Sequence, residues 1–530
     1  MVKRIVFFGI LLFIIIAAVL LRFQGVNERG LFYFDEGLYL SETRFVLEGV
    51  DLILHNFKKL LSQGFSFEEL KATTQGVPLV TGKPGFILVL YLFGLLTGLS
   101  EHTLYLASAT FGIINIGLIY LIAQDFFDRK TALVSMAIAS VSSYHLFYSS
   151  VGLPEMVGLT FYLAGFWLFY RSVKYCQRAS FLIGSGLLIG YAFTCNQWRW
   201  ILLPVFPCLF ELIRFVKREV SPAVVFSRLS IFLVSFVTPI FIFQLPYQVL
   251  IWLKGPLPFR SYFEQLFERS MQGQSMLFSI SGRATFLKYY WIIEGPFFTI
   301  LLLTGISIAV FNALYKKNKE DILLCIVMVL PIIIFSVFKY GGYCLSRVIS
   351  MVLPFTAIAI ARLFGRIKNI NLVYCFIVII LVLGVMHSYK ISRVTSGYAK
   401  AAEYIKDKDY RKLFILENEP IFRAYLGRVA FNPYNRPLSL EELIHSSENS
   451  GVVRLVVDFN VLYSKYQQDY ARELTNVLIP EAVFANPLGA SFVHLTELYP
   501  YEIIKSILED PRSKYIEIYN LDKFHKEFRR

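Results

Sequence analysis

Residues 84–99 read PGFILVLYLFGLLTGL, an uncharged run of 16 residues with glycine at positions 85, 94 and 98. At ~1.5 Å per residue a helix over this run spans about 24 Å, short of the roughly 30 Å hydrocarbon core of a bilayer. Its reading decides the topology, because every later segment changes side with it. Eleven other uncharged or nearly uncharged runs are long enough to consider as crossings. They cover residues 5–21, 103–123, 132–150, 156–170, 179–195, 200–215, 229–251, 290–312, 321–338, 347–364 and 370–388. If 84–99 lies along or dips into the outer face, the basic loops all fall inside with Lys3 and Arg4. These loops are Arg129/Lys130, Arg171/Lys174/Arg178, Arg214/Lys217/Arg218/Arg228, Lys316/Lys317/Lys319 and Arg362/Arg366/Lys368. If 84–99 crosses fully, all of these loops fall outside. Lysine and arginine favour the cytoplasmic side, so the first arrangement is adopted.

The expected fold is therefore an α-helical polytopic membrane protein with about 11 transmembrane helices. Its N-terminus is cytoplasmic, and the plasma (inner) membrane is the expected location. Residues 22–102 become a large first outer loop with interfacial helices. The turn Gly152-Leu153-Pro154-Glu155, residues 252–289 and everything after about 389 also fall outside.

Composition agrees with this reading. The 530 residues are 56% hydrophobic and only 17% charged, with a mean hydropathy of +0.56. A soluble domain carries about 25% charged residues, so a soluble or disordered chain is excluded. The net charge is +14, yet residues 391–530 hold 19 basic and 19 acidic side chains. The excess thus lies between the hydrophobic runs of residues 1–390, where it reads as topology signal and lipid contact. A nucleic-acid binder would gather it on one soluble face. Six cysteines lie in or beside apolar runs without C-x-x-C spacing and read as packing residues.

Residues 391–530 read as a small exoplasmic α/β domain. Strands are expected at Lys412–Leu416, Val452–Val457 and Tyr515–Tyr519, and helices at 397–407, 461–478 and 499–509. No phosphate-cradling loop, dinucleotide fingerprint or zinc-protease motif occurs.

Several charged residues sit where they are expensive. Asp35 and Glu36 lie in the aromatic stretch Leu31-Phe32-Tyr33-Phe34-Asp35-Glu36-Gly37-Leu38-Tyr39. Adjacent carboxylates near lipid can hold a metal or raise one another's pKa, as a general base needs. Alternatively, Asp35 simply caps a helix starting near Glu36. Glu155 follows Pro154 in a short outer turn, where an acid in the first turn of a helix also stabilises that helix. Lys83 precedes Pro84. Arg347 and Arg199 occupy outer helix ends, in Tyr343-Cys344-Leu345-Ser346-Arg347 and Asn196-Gln197-Trp198-Arg199-Trp200. Each alone is an interface anchor; together, beside acids on the same face, they suit an anionic lipid-linked substrate. His102, in the outer loop, is a possible substrate or metal contact. His145 reads as packed against a polar neighbour.

These segments resemble, in order, the motifs of the GT-C superfamily of integral-membrane glycosyltransferases. The similarity is greatest to the branch of protein O-mannosyltransferases and lipid A aminoarabinose transferases. Asp35-Glu36 looks like the family's acidic pair in the first outer loop. Gly82-Lys83-Pro84-Gly85-Phe86 is similar to its (H/K)-P-P-L segment, with Gly85 in place of the second proline. Tyr148 to Glu155 looks like the stretch ending in a second acid, usually aspartate. The region from Arg347 to Pro354 resembles a further basic motif more loosely.

The resemblance implies a sugar donor attached to a polyprenyl phosphate and inverting transfer to an acceptor hydroxyl at the outer membrane face. It assigns Asp35 as general base and Lys83 and Arg347 as holders of the donor phosphate. Some members bind a divalent metal ion and others do without one, so the cofactor stays open. The expected partners are the lipid-linked donor, the bilayer and an acceptor; no nucleic acid is expected. Two alternatives remain: a transporter or lipid flippase, and a non-catalytic scaffold that displays the C-terminal domain.

Overall fold

The computed structural model describes residues 2–63, 83–176, 178–196, 204–254, 285–337, 350–406, 413–415, 419–426, 454–463, 472, 476, 478–499 and 501–520. They divide into two compact units. A helical unit comprises Met1–Gln24, Phe45–Gly98 and Tyr105–Ser392; a mixed unit comprises Gly25–Arg44, Leu99–Leu104 and Arg393–Arg530.

The helices of the first unit, two of which begin in the second, are α1 (Val2–Phe23), α2 (Phe34–Gln63), α3 (Pro84–Thr97), α4 (Glu101–Phe126), α5 (Arg129–Val141), α6 (Ser143–Ser150), α7 (Glu155–Arg171) and α8 (Ala179–Cys195). They continue as α9 (Val205–Val216), α10 (Pro222–Lys254), α11 (Thr285–Leu314), α12 (Lys319–Leu324), α13 (Leu330–Val337), α14 (Leu353–Gly365) and α15 (Ile370–Ser392). A π-helical stretch, Cys325–Val329, joins α12 to α13. Among the described residues six helices are long and apolar enough to cross a membrane: α1, α4, α7, α10, α11 and α15. The runs 84–99, 200–215 and 347–364 form described helices of only 14, 12 and 13 residues.

The runs 132–150 and 290–312 are each interrupted by a residue outside helical geometry. The run 132–150 breaks at Ser142, which is extended at φ −58° and ψ 127°. The run 290–312 kinks at Gly295, whose φ of 87° is a conformation that favours glycine, followed by Pro296. Run 179–195 coincides with α8 end to end.

Glycines set the closest helix contacts. Gly186-x-x-x-Gly190 on α8 faces the α10 backbone. A Cβ at Gly186 would lie 2.6 Å from Phe232 O, and one at Gly190 would collide with Phe236 O. Small residues at four-residue spacing let two membrane helices approach until their backbones touch.

All five basic loops meet at one end of this unit. Arg171 Nε is 2.9 Å from Asp125 Oδ2 at the end of α4. Glu211 takes both Arg214 (2.8 Å) and Arg228 (2.7 Å), and Arg228 donates to Ser172. Lys319 pairs with Glu219 at 2.8 Å, Asp321 pairs with Arg362, and Tyr170 donates to Glu320. Lys130 donates to Ile367 O. The charges read as topology signals are thus also partnered across the helix ends. Glu155, at the other end of the 17-residue α7, lies away from this cluster.

The mixed unit has helices α16 (Tyr398–Lys406), α17 (Glu419–Leu426), α18 (Phe459–Leu462), α19 (Phe492–Leu495) and α20 (Tyr501–Glu509). Its strands are β1 (Leu413–Ile415), β2 (Arg454–Val457), β3 (Ala482–Ala485) and β4 (Tyr515–Asn520). The sheet order is β1-β2-β4-β3. β1 runs parallel to β2 (Phe414 opposite Leu455), whereas β4 is antiparallel to both β2 (Val456 opposite Ile518) and β3 (Val483 opposite Glu517). The three expected strands correspond to β1, β2 and β4. Strand β3, alternately half-buried and exposed at the sheet edge, was not expected. Most of the expected helix 461–478 lies outside the described residues.

The start of the first outer loop is stitched into this same unit. Ser396 N donates to Arg29 O at 2.7 Å, Leu31 N to Tyr425 Oη at 2.8 Å, and Tyr33 Oη to His494 O at 3.0 Å.

By the charge rule the basic-loop cluster is expected on the cytoplasmic side. A cysteine introduced by Lys317→Cys should react with a membrane-impermeant maleimide only after cells are opened. Labelling in intact cells would reverse the topology.

Candidate active site

At the end of the helical unit opposite the basic loops, α3, α7 and α8 converge. Glu155 opens α7 directly after Pro154 and is fully buried. A carboxylate without solvent needs donors, and Asn196, just past the end of α8, gives its Nδ2 to Glu155 Oε1 at 3.1 Å. Asn196 is itself fully buried, and its Oδ1 has no hydrogen-bond partner among the described residues. The backbone after Glu155 is fixed by Asn115, whose Nδ2 donates to Met156 O at 3.0 Å. Thr160 ties the same carbonyl to Asn115 Oδ1.

Lys83, buried at the N-terminus of α3, belongs to this end as well. The α3 start is pressed onto the end of α8. Tyr191 Oη donates to Gly85 O at 2.8 Å, and a Cβ at Gly85 would sit 3.1 Å from Cys195 Sγ and would clash with Thr194. Glycine at 85, the position where the resemblance expects proline, is what permits this approach. The Lys83 ammonium lies within electrostatic range of Cys195, the residue next to Asn196. The structure therefore brings together Glu155, Asn196 and the Lys83 segment. Sequence reasoning missed Asn196; its one signal was a polar residue directly terminating an apolar helix.

Asp35 and Glu36 stand in the mixed unit, in the first turn of α2. Their roles differ. Glu36 is fully buried and accepts from Phe32 N (2.5 Å) and Tyr33 N (3.2 Å). This is the backward reach of a third-position glutamate that closes a capping box. Capping was expected of Asp35, but Glu36 does it, and the helix starts at Phe34. Asp35 is half-buried. Gly37 lets the turn sit against α17, where a Cβ would lie 2.5 Å from Ile421 N. Burial, together with Glu101 and Glu36, pushes the Tyr425 phenol up, so this hydroxyl stays protonated.

His102 is half-buried in the first turn of α4, and its Nδ1 has no hydrogen-bond partner among the described residues. His145 is buried in α6 within electrostatic range of Arg22, and neither ring nitrogen has a hydrogen-bond partner among the described residues. Arg199 and Arg347 lie outside the described residues. Among the described residues no three His, Cys, Asp or Glu side chains are grouped so as to hold a metal ion.

A mostly helical membrane bundle with an appended small sheet, built this way, is the fold of the GT-C membrane glycosyltransferases. ArnT from Cupriavidus metallidurans bound to undecaprenyl phosphate superposes with a TM-score of 0.60 at 12% identity, covering 89% of this chain and 96% of that one. The oligosaccharyltransferase AglB from Archaeoglobus fulgidus, in complex with an inhibitory peptide and a dolichol-phosphate, gives 0.55 at 12% identity, covering 88% and 70%. Residues 81–243 match the dolichyl-phosphate-mannose-protein mannosyltransferase family, a stretch that encloses Lys83, Glu155 and Asn196. No curated protein matches the chain in sequence.

His494 gives the Asp35 turn a pH dependence. Phe32 packs against its ring in a tilted arrangement, with centroids 5.2 Å apart, and burial, aided by the Arg29 charge, pushes its pKa down to about 3. The unfolded chain binds that proton near pH 6.5, so stability is complete above 6.5 and falls as the pH drops towards 3. The limiting slope is about 1.4 kcal/mol per pH unit. Thermal unfolding between pH 7 and 4 should show this loss, and His494→Phe should flatten it; an unchanged slope in the variant would assign the loss elsewhere.

Proposed function

We propose that this chain is a membrane glycosyltransferase that moves a sugar from a polyprenyl phosphate to an acceptor hydroxyl at the outer membrane face, with inversion at the anomeric carbon. The observation that carries the reading is the meeting of Glu155, Asn196 and the Lys83 segment at the end of the helical unit opposite the basic loops, inside the stretch that matches a mannosyltransferase family. Polyprenyl phosphates bound in solved structures of similar fold, undecaprenyl phosphate and dolichol-phosphate, support a lipid-linked donor of this class.

In this reading Lys83 supplies fixed positive charge to the phosphate, whose negative charge grows as the glycosidic bond breaks; Arg347 and Arg199 add to it. Asp35 takes the proton of the acceptor hydroxyl as general base. Glu36 holds the turn that presents it. Glu155, oriented by Asn196, accepts a hydrogen bond from a substrate hydroxyl, and His102 contributes a polar contact on the acceptor side.

Transport is the second reading, favoured by the broken α5–α6 helix and the acid Glu294, since transporters unwind helices around intramembrane sites. Glu294 is already saturated, however: its oxygens accept from Ser142 Oγ (2.7 Å), Ser143 N (3.1 Å) and Tyr144 N (2.9 Å). That leaves it poorly suited to bind and release a substrate ion.

The test is release of polyprenyl phosphate from a panel of polyprenyl-phosphate hexoses and pentoses by the purified full chain in nanodiscs, with an acceptor extract. Asp35→Asn should lower turnover by about 100-fold or more, and Asn196→Ala by about 10-fold. Full turnover in Asp35→Asn would remove the base assignment. No release from any donor would remove the reading.

A further inference from the structure

The break between α5 and α6 is not written in local sequence. Residues 129–150 contain neither proline nor glycine, the usual causes of a sharp helix break. Measured from the charged end at Arg129, the break lies about 20 Å along the helix, inside the apolar run. There the backbone has no water to turn to.

Opening a helix at Ser142 forfeits three hydrogen bonds and orphans six groups: the carbonyls of Ala139, Ser140 and Val141 and the amides of Ser143, Tyr144 and His145. All six are taken up by side chains. Arg22 Nη2 donates to Ala139 O at 3.1 Å and Nη1 to Ser140 O at 2.9 Å. Ser388 Oγ donates to Val141 O at 2.5 Å. On the other side Glu294 accepts from Ser143 N and Tyr144 N, and Ser142 Oγ accepts from His145 N at 3.3 Å. The signs match the helix dipoles: a cation at the C-terminal end of α5 and an anion at the N-terminal end of α6. Glu294 is aimed by the Gly295–Pro296 kink of α11. His387 of α15 holds Ile293 O at 2.8 Å. Arg22 Nε also reaches Ser149 Oγ, near the far end of α6, at 3.2 Å.

We infer that Arg22 and Glu294 are positioning residues that hold α6 as a separate strut and thereby fix the Gly152–Glu155 turn that follows it. The inference rests on the glycosyltransferase reading for its effect on turnover, but not for its effect on structure. Its logic is competitive. A continuous α5–α6 helix would recover all three backbone bonds, so the break persists only while the hydrogen bonds of these two side chains outcompete them. Removing either side chain lets the helix close through Ser142, which reorients α6 and displaces Glu155.

The experiment pairs cryo-electron microscopy of the full chain in nanodiscs with the polyprenyl phosphate release assay, for wild type, Glu294→Leu, Glu294→Gln and Arg22→Leu. In Glu294→Leu and Arg22→Leu, Ser142 is expected in helical conformation, with kcat down about 100-fold and the donor KM within about threefold. Glu294→Gln, which keeps an acceptor oxygen in place, should keep the break and retain kcat within about tenfold. Should the leucine variants fail to fold, Glu294→Ala and Arg22→Gln take their place, with Ser142 in helical conformation and a kcat loss of about tenfold expected. A break that persists unchanged in the folded leucine variants, or in both of these substitutes, overturns the inference. So does a helix that closes while kcat holds. If wild type releases no polyprenyl phosphate, the glycosyltransferase reading fails, while the state of Ser142 still decides the structural claim.

Discussion

An amide or carbonyl that leaves helical geometry within an apolar segment must find another partner in the protein. That constraint organises the helical unit. Arg22 comes from the first helix, Glu294 from a kinked helix near residue 295 and Ser388 from the last one, so three distant segments of chain are committed to one gap at Ser142. The turn that follows carries Glu155, and the amide of Asn196, just past the end of α8, reaches across to it. The position of the acid is thus specified by buried polar contacts that have few alternatives in lipid.

The mixed unit uses the same economy on the other acidic motif. Of two neighbouring carboxylates, Glu36 is consumed by the backbone amides of Phe32 and Tyr33, and Asp35 remains half-buried. The turn is further anchored by Tyr33 on the His494 carbonyl and by the close approach that Gly37 permits. A structural acid beside a second carboxylate fixes the geometry of the turn that carries both.

Much of this was legible in the sequence. Long apolar runs gave the helices, and the basic loops gave their common end, because lysine and arginine announce themselves without context. Asp35, Lys83 and Glu155 stood out as charges in apolar surroundings. The break at Ser142 was hard to read, since serines and alanines permit a helix; Ser142 caps α6 locally, but the break also needs side chains from α1, α11 and α15. Glu294 was visible as a lone acid in the run 290–312, a placement that marks function in membranes, but its partners are over 140 residues away. Asn196 was passed over because amides carry no charge signal. Strand β3 lacked the apolar alternation of a core strand, lying half-exposed at the sheet edge.

The proposed function requires a cationic site for a phosphorylated isoprenoid around the buried Lys83. Native mass spectrometry of the full chain with polyprenyl phosphate and with the corresponding polyprenol tests it most directly. Preferential binding of the phosphate, lost in Lys83→Met, is expected. Equal binding of the two lipids, or retention of the preference in Lys83→Met, would contradict it.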